Sequence, residues 1–204
     1  MSGQRYLDFN ATAPTRPEVI DAVAEAMREG GNASSVHGTG RKARAGVEQA
    51  RRSVAALVGA DPANVVFTGS GTEANNQALR ASGRRRLIVS AIEHESVLQV
   101  SGDVVVCPVL AEGTLDLEAL ERLLSQSDEP AMVAIMAANN ETGILQPVAE
   151  AAALAHRHGA LLHCDAVQAA GKVPVDLAGL DADFLALSAH KIGGPQGVGA
   201  LVCR

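Results

Sequence analysis

Short apolar runs recur along the chain and alternate with stretches of helical spacing. Seven runs read as buried strands, over residues 65–68, 87–91, 104–109, 132–137, 160–164, 184–187 and 199–202. Between them, residues 41–58 place Val47, Ala50, Val54 and Leu57 on one helical face. Residues 116–124 and 148–158 have the same periodicity, the first with Asp116 as its cap and the second preceded by Pro147. Nearer the start, Thr15 is positioned to cap a helix with Pro17 in its first turn and Val19, Val23 and Met27 on one face. An extended arm precedes it, around Tyr6 to Pro14.

Strands alternating with helices predict a three-layer α/β/α fold around a seven-stranded, mostly parallel sheet. The last connection breaks the pattern. Nine residues separate Ser188 from Val198, three of them glycine and one proline. A parallel crossover needs about a dozen or more, so the final strand is expected to run antiparallel. No internal repeat or linker interrupts residues 1–204, which read as one domain with an N-terminal arm.

Composition narrows the function classes. Apolar residues make up 47% of the 204 but aromatics only 2%, so the core is built from Ala, Val, Leu and Ile. So few aromatics, with a net charge of -6, argue against a nucleic-acid partner. Cys107, Cys164 and Cys203 form no CxxC pair, which fits reduced thiols rather than a disulfide framework. With no long apolar run, the expectation is a cytoplasmic protein without a membrane span.

Candidate chemistry gathers at strand ends, where open α/β sheets bind ligands. The run ending at Leu187 delivers Ser188, His190 and Lys191. Lys191 is one of three lysines, with Lys42 and Lys172. A lysine beside a buried strand is a Schiff-base candidate, because burial frees its lone pair; it fits equally a loop lysine reaching solvent. After the first strand, Gly69 to Asn76 opens a helix with glycines and the Thr72 hydroxyl, an anion site by geometry or an ordinary capped start. His94 after the second strand suits a ligand contact or a helix cap. Asn139, Asn140 and Gly143 suit neutral hydrogen-bonding to a ligand or a turn. Asp165 ends a strand with no basic neighbour in sequence, and a buried carboxylate needs a partner. A protonated ring nitrogen would serve, as would a helix cap or a metal. His163 and Asp165 share a strand face, but no third ligand has a metal-site spacing. An amine, a carboxylate, an imidazole and a phosphate cradle together match pyridoxal 5'-phosphate.

Seven stretches carry a resemblance to a known family: YLDFNATAP, GNASSVHGTGRKAR, VVFTGSGTEANN, IEHESV, NNETGILQPV, HCDAVQAAGKVPVD and SAHKIGGPQGVGAL, from Tyr6 to Leu201. With them the chain resembles the cysteine desulfurases, pyridoxal-phosphate enzymes of the class V aminotransferase group. The resemblance implies that Lys191 attaches the cofactor and moves protons at the substrate Cα. It implies that Asp165 pairs with the ring nitrogen, that Gln168 bonds the ring hydroxyl oxygen, and that His94 stacks on the ring and serves as a catalytic acid–base group. Gly71, Thr72, Ser188 and His190 would bind phosphate, and Asn140 would lie near the substrate carboxylate. The family often has proline where this chain has Ala33.

The implied reaction converts L-cysteine to L-alanine. Sulfur passes to an enzyme cysteine as a persulfide, for an iron–sulfur scaffold or another acceptor, in a homodimer. In the family that cysteine and a substrate-binding arginine lie in a smaller domain beyond the position of Arg204, and none of the three cysteines here matches it. The resemblance therefore implies a cofactor-binding large domain, inactive alone. The alternatives are a non-catalytic cofactor-binding or dimerisation domain, and a selenocysteine lyase or other class V enzyme.

Overall fold

The computed structural model describes residues 5–100 and 103–204. Seven strands form a single sheet: β1 (Val65–Thr68), β2 (Arg86–Ser90), β3 (Asp103–Cys107), β4 (Ala131–Met136), β5 (Leu161–Asp165), β6 (Phe184–Ser188) and β7 (Gly199–Cys203). Their order is β1-β7-β6-β5-β4-β2-β3. The pairs β2–β3, β2–β4, β4–β5 and β5–β6 are parallel. β7 runs antiparallel to both β6 and β1, as the short connection requires. Every one of the seven apolar runs became a strand, shifted by a residue or two at its ends.

Helices cover both faces, and the strand period of two shows it. On β2, Ile88 packs into one cluster while Leu87 and Val89 pack into another. On β4, Val133 and Ile135 join the first cluster, Met132 and Ala134 the second. The first cluster is closed by α2 (Gly38–Leu57), α5 (Leu117–Ser125) and α6 (Val148–Arg157), through residues such as Ala55, Leu120 and Ala155. The opposite face is covered by α3 (Gly71–Ala81) and the one-turn α4 (Glu95–Leu98), through Ala74, Ala78, Leu79 and Val97. Small Ala side chains let these helices lie close to the sheet, which the near absence of aromatics anticipates.

Two helix starts differ from expectation. α1 (Pro17–Glu29) has Arg16 at its N-cap with no side-chain bond. The Thr15 hydroxyl instead donates to the Gly194 carbonyl at 3.5 Å, and the Arg16 N–H to Gly193 at 2.9 Å. Tertiary stitching of the arm replaces the local cap. No residue of α1 is buried, and Ile20, Val23 and Met27 are exposed. α2 begins at Gly38 rather than Arg41, because His37 Nδ1 accepts from the Gly40 N–H at 3.3 Å and recruits the glycines into the first turn.

Candidate active site

A cavity of about 460 Å³ opens at the carboxyl ends of β4, β5 and β6, against the start of α3 and under the N-terminal arm. That size suits a small cofactor. The nine residues that the resemblance assigns to the cofactor line it: Gly71, Thr72, His94, Asn140, Asp165, Gln168, Ser188, His190 and Lys191. The strands make this convergence, since β5 ends on Asp165 and β6 on Ser188.

The start of α3 is built to be approached. The Ser70 side chain accepts from the Glu73 N–H at 3.0 Å, and Glu73 Oε2 accepts from the Gly69 N–H at 2.6 Å, a reciprocal cap. Gly71 and Thr72 occupy the first turn, where backbone N–H groups lack helical partners and the dipole favours an anion. A Cβ on Gly71 would stand 2.8 Å from Val167 Cγ2 and 3.3 Å from Ser188 Cβ. Glycine there lets α3 meet the ends of β5 and β6.

Asp165 lies almost wholly buried at the cavity floor. Its Oδ1 accepts from the Val167 N–H at 2.9 Å and its Oδ2 from Asn75 Nδ2 at 2.8 Å. Burial raises its pKa; these two donors, with nearby His94 and Lys191, pull the other way. The net rise marks a carboxylate that gains from a cationic partner in the cavity. The helix-cap alternative does not hold: no helix follows β5, and the bond from Val167 closes a local turn. Among the described residues no group of three His, Cys, Asp or Glu is placed to hold a metal.

Lys191 follows β6 in a short 3₁₀ turn. Its ammonium donates to the carbonyls of Asn10 at 2.5 Å and Ala11 at 2.8 Å. Burial lowers its pKa, and the nearby charge of Lys172 adds to this. Asn10 ties further wall residues together. Its carbonyl accepts from Gln168 Nε2 at 2.8 Å and its Oδ1 from Lys172 Nζ at 2.9 Å, while its Nδ2 donates to the Asn140 carbonyl at 2.9 Å. The Gln168 Oε1 accepts from Lys172 at 2.6 Å. His190 hydrogen-bonds Thr12 at 3.1 Å, and burial, with Lys191 beside it, lowers its pKa.

His94 caps α4, as the sequence allowed, and also faces the cavity: its Nδ1 accepts from the Ser96 N–H at 3.1 Å. Of the two amides in the 139–143 segment, Asn139 serves the turn. Its Oδ1 accepts from the Glu141 and Thr142 N–H groups, leaving Asn140 at the cavity. His163 is fully buried behind Asp165, and burial lowers its pKa to about 4.

Sequence reasoning missed Asn10, Asn75, Glu93 and Ser96. Asn10 carried no signal beyond its place in the arm. Asn75 lies one turn into α3 and Ser96 two residues after His94, both within segments already singled out. Glu93 is buried, and its Oε1 accepts from the Met136 N–H at 2.7 Å. Burial, then the charge of Asp165, raises its pKa well above the usual range, against the pull of the Met136 N–H.

Comparison with known proteins agrees with this geometry. The aminotransferase class-V family model matches residues 5–204. A cysteine desulfurase from Rhodobacter capsulatus is 46% identical over 214 aligned positions, covering 98% of this chain and 55% of the relative. An IscS-like cysteine desulfurase from Mycobacterium tuberculosis is 38% identical with the same coverage. The crystal structure of a NifS-like protein from Rickettsia africae superposes with a TM-score of 0.91 at 38% identity, over 97% of this chain and 57% of that one. The chain thus spans about half the length of the curated relatives it matches.

Proposed function

The chain belongs to the class-V aminotransferase family, and from that premise we propose that it is the cofactor-binding domain of a pyridoxal-phosphate-dependent cysteine desulfurase. The whole protein would convert L-cysteine to L-alanine and pass the sulfur, through an enzyme persulfide, to an acceptor such as an iron–sulfur scaffold. The observation that carries the reading is the joint placement of Lys191 and Asp165 in one cavity beside the start of α3.

The residues present fit the cofactor. Asp165 is a buried carboxylate with no lysine or arginine bonded to it, suited to a protonated ring nitrogen. The first turn of α3, held close to the ends of β5 and β6 by Gly71, would hold the phosphate, with Ser188 and His190 beside it. Lys191 would provide the attachment point. When bound, pyridoxal phosphate supplies an electron sink for the pair left at the substrate Cα.

The chain's own groups supply the rest. Burial of the Lys191 amine favours its neutral form, which is nucleophilic and can carry a proton to and from Cα. Asp165 keeps negative charge at the floor, where a ring cation is stabilised. Gln168 and Asn140 offer uncharged polar contacts, and His94 presents an imidazole at the wall. The arm lies beside Lys191 and orients its amine through the Asn10 and Ala11 carbonyls.

The sulfur-accepting cysteine would come from a smaller domain outside residues 1–204; none of Cys107, Cys164 and Cys203 lines the cavity. We place the protein in the cytoplasm as a homodimer; no helix among the described residues is long and apolar enough to cross a membrane. The uncovered apolar side of α1 offers contact area for a partner copy. The direct test is addition of pyridoxal phosphate to the chain. A visible absorption band is expected, and Lys191→Ala abolishes it. No band in the unaltered chain, or an unchanged band in the variant, overturns the assignment.

A further inference from the structure

Behind the cavity wall lies a buried polar network that the proposed chemistry does not use. Asn75 is 1% exposed, in the second turn of α3, and every polar atom of its side chain is engaged. Its Nδ2 donates to Asp165 Oδ2 at 2.8 Å and to Ser96 Oγ at 3.0 Å. Its Oδ1 meets His163 Nε2 at 2.9 Å.

We propose that Asn75 is the positioning residue of this site: one amide fixes the carboxylate of Asp165 and, through Ser96, the ring of His94, while His163 sets the amide's orientation. The inference rests on the cofactor reading above.

The directions of the hydrogen bonds make the case. His163 Nδ1 is buried with no partner, so the ring proton belongs on Nε2, where Asn75 Oδ1 accepts it. Turning the amide over would set its oxygen against the Asp165 carboxylate and its NH₂ against the His163 N–H. Both pairs would then repel, so the amide has one orientation. Full burial also keeps His163 neutral, so it brings no cation to compete for Asp165.

The second Nδ2 hydrogen continues the chain. Ser96 Oγ accepts it and so points its own proton at His94 Nδ1, 2.8 Å away. The Ser96 N–H donates to the same nitrogen. His94 Nδ1 is thereby an acceptor twice over, and its proton is placed on Nε2. Two groups that face the cavity from different elements, β5 and the start of α4, are tied to one side chain of α3.

The experiment uses the full chain, with circular dichroism to confirm folding. Two readouts are followed: the dissociation constant for added pyridoxal phosphate across pH, and the ¹³C carboxyl titration of Asp165 without cofactor. The charged and titratable groups around that carboxyl are Glu93, His94, Cys164 and Lys191, with His163 behind it, and all are retained in the Asn75 variants. Asn75→Ala removes a donor to a charged group, so affinity is expected to fall about tenfold and the Asp165 titration to move upward. Asn75→Asp keeps the volume but sets two carboxyls together. Its Asp165 titration is expected to move upward further than in Asn75→Ala, because two carboxyls share one site, which a purely structural loss would not produce. Asn75→Asp carries the test if Asn75→Ala does not fold. His163→Gln, which retains a donor, is expected to bind more tightly than His163→Leu.

Affinity within twofold of wild type for the Asn75 variants, with an unmoved Asp165 titration, overturns the proposal. If wild type takes up no cofactor but the Asp165 titration still moves in Asn75→Ala, the cofactor reading fails and the role of Asn75 in holding Asp165 stands.

Discussion

His156 shows how a side chain far from the cavity shapes the protein's response to pH. Its ring bridges Asp181 at 3.1 Å and Asp183 at 2.9 Å, joining α6 to the segment that enters β6. Burial of the ring opposes its charge, but the hydrogen bond and charge of Asp183, then those of Asp181, outweigh it and raise the pKa. Because the folded value lies above the unfolded one, the stabilisation is complete below the unfolded pKa of about 6.5. It is lost as pH rises through the folded value. The melting temperature of His156→Gln should therefore lie further below wild type at pH 5.5 than at pH 8.5. An equal gap at both would show that the bridge does not depend on charge. At this scale the placement of Asp165 and Lys191 at the cavity was legible in the sequence, since Asp165 ends an apolar run and Lys191 closely follows one. Asn75 and Asn10 were not, because their roles come from residues 90 and more than 100 positions away.

Helices and strands were legible to different degrees. The seven strands followed from apolar runs, since a sheet covered on both faces needs nearly continuous hydrophobicity. Helix starts were harder to read: a side chain caps α2 and α3, whereas the arm's tertiary contacts hold the entry to α1. The junction of α3 with β5 and β6 is closely packed. Gly71→Ala would press a methyl to 2.8 Å from Val167 Cγ2, and overpacking of this kind costs about 1–3 kcal/mol. Such a variant should melt earlier, and it should lose more affinity for pyridoxal phosphate than for pyridoxal, because the methyl pushes the first turn of α3 away from Ser188 and so opens the cradle proposed for the phosphate. Equal losses for both ligands would detach the phosphate from α3.

Over the whole molecule, the three cysteines are poor candidates for sulfur chemistry. Burial pushes the Cys107 thiol up to about 11, with the charge of Asp116 adding and Arg122 opposing. Burial, then Asp165 and Glu93, raises Cys164 well above the usual range, and burial raises Cys203. The thiolate is the nucleophile, so all three are quiet near neutral pH. The chain incubated with pyridoxal phosphate, L-cysteine and reductant should release no more sulfide than free cofactor does. Release above that level would mean that a cysteine within the chain completes the reaction. The antiparallel placement of β7 has a consequence for how the protein is made. β1 holds to the sheet only through β7, and β7 opens on Gly199, where a Cβ would fall 2.5 Å from the Ser70 carbonyl carbon. During synthesis on the ribosome, β1 and the turn it leads into must wait until nearly two hundred residues have emerged before they can be seated. The anion cradle is thus encoded well before the strand that seats it, and it is completed only once β7 has been made.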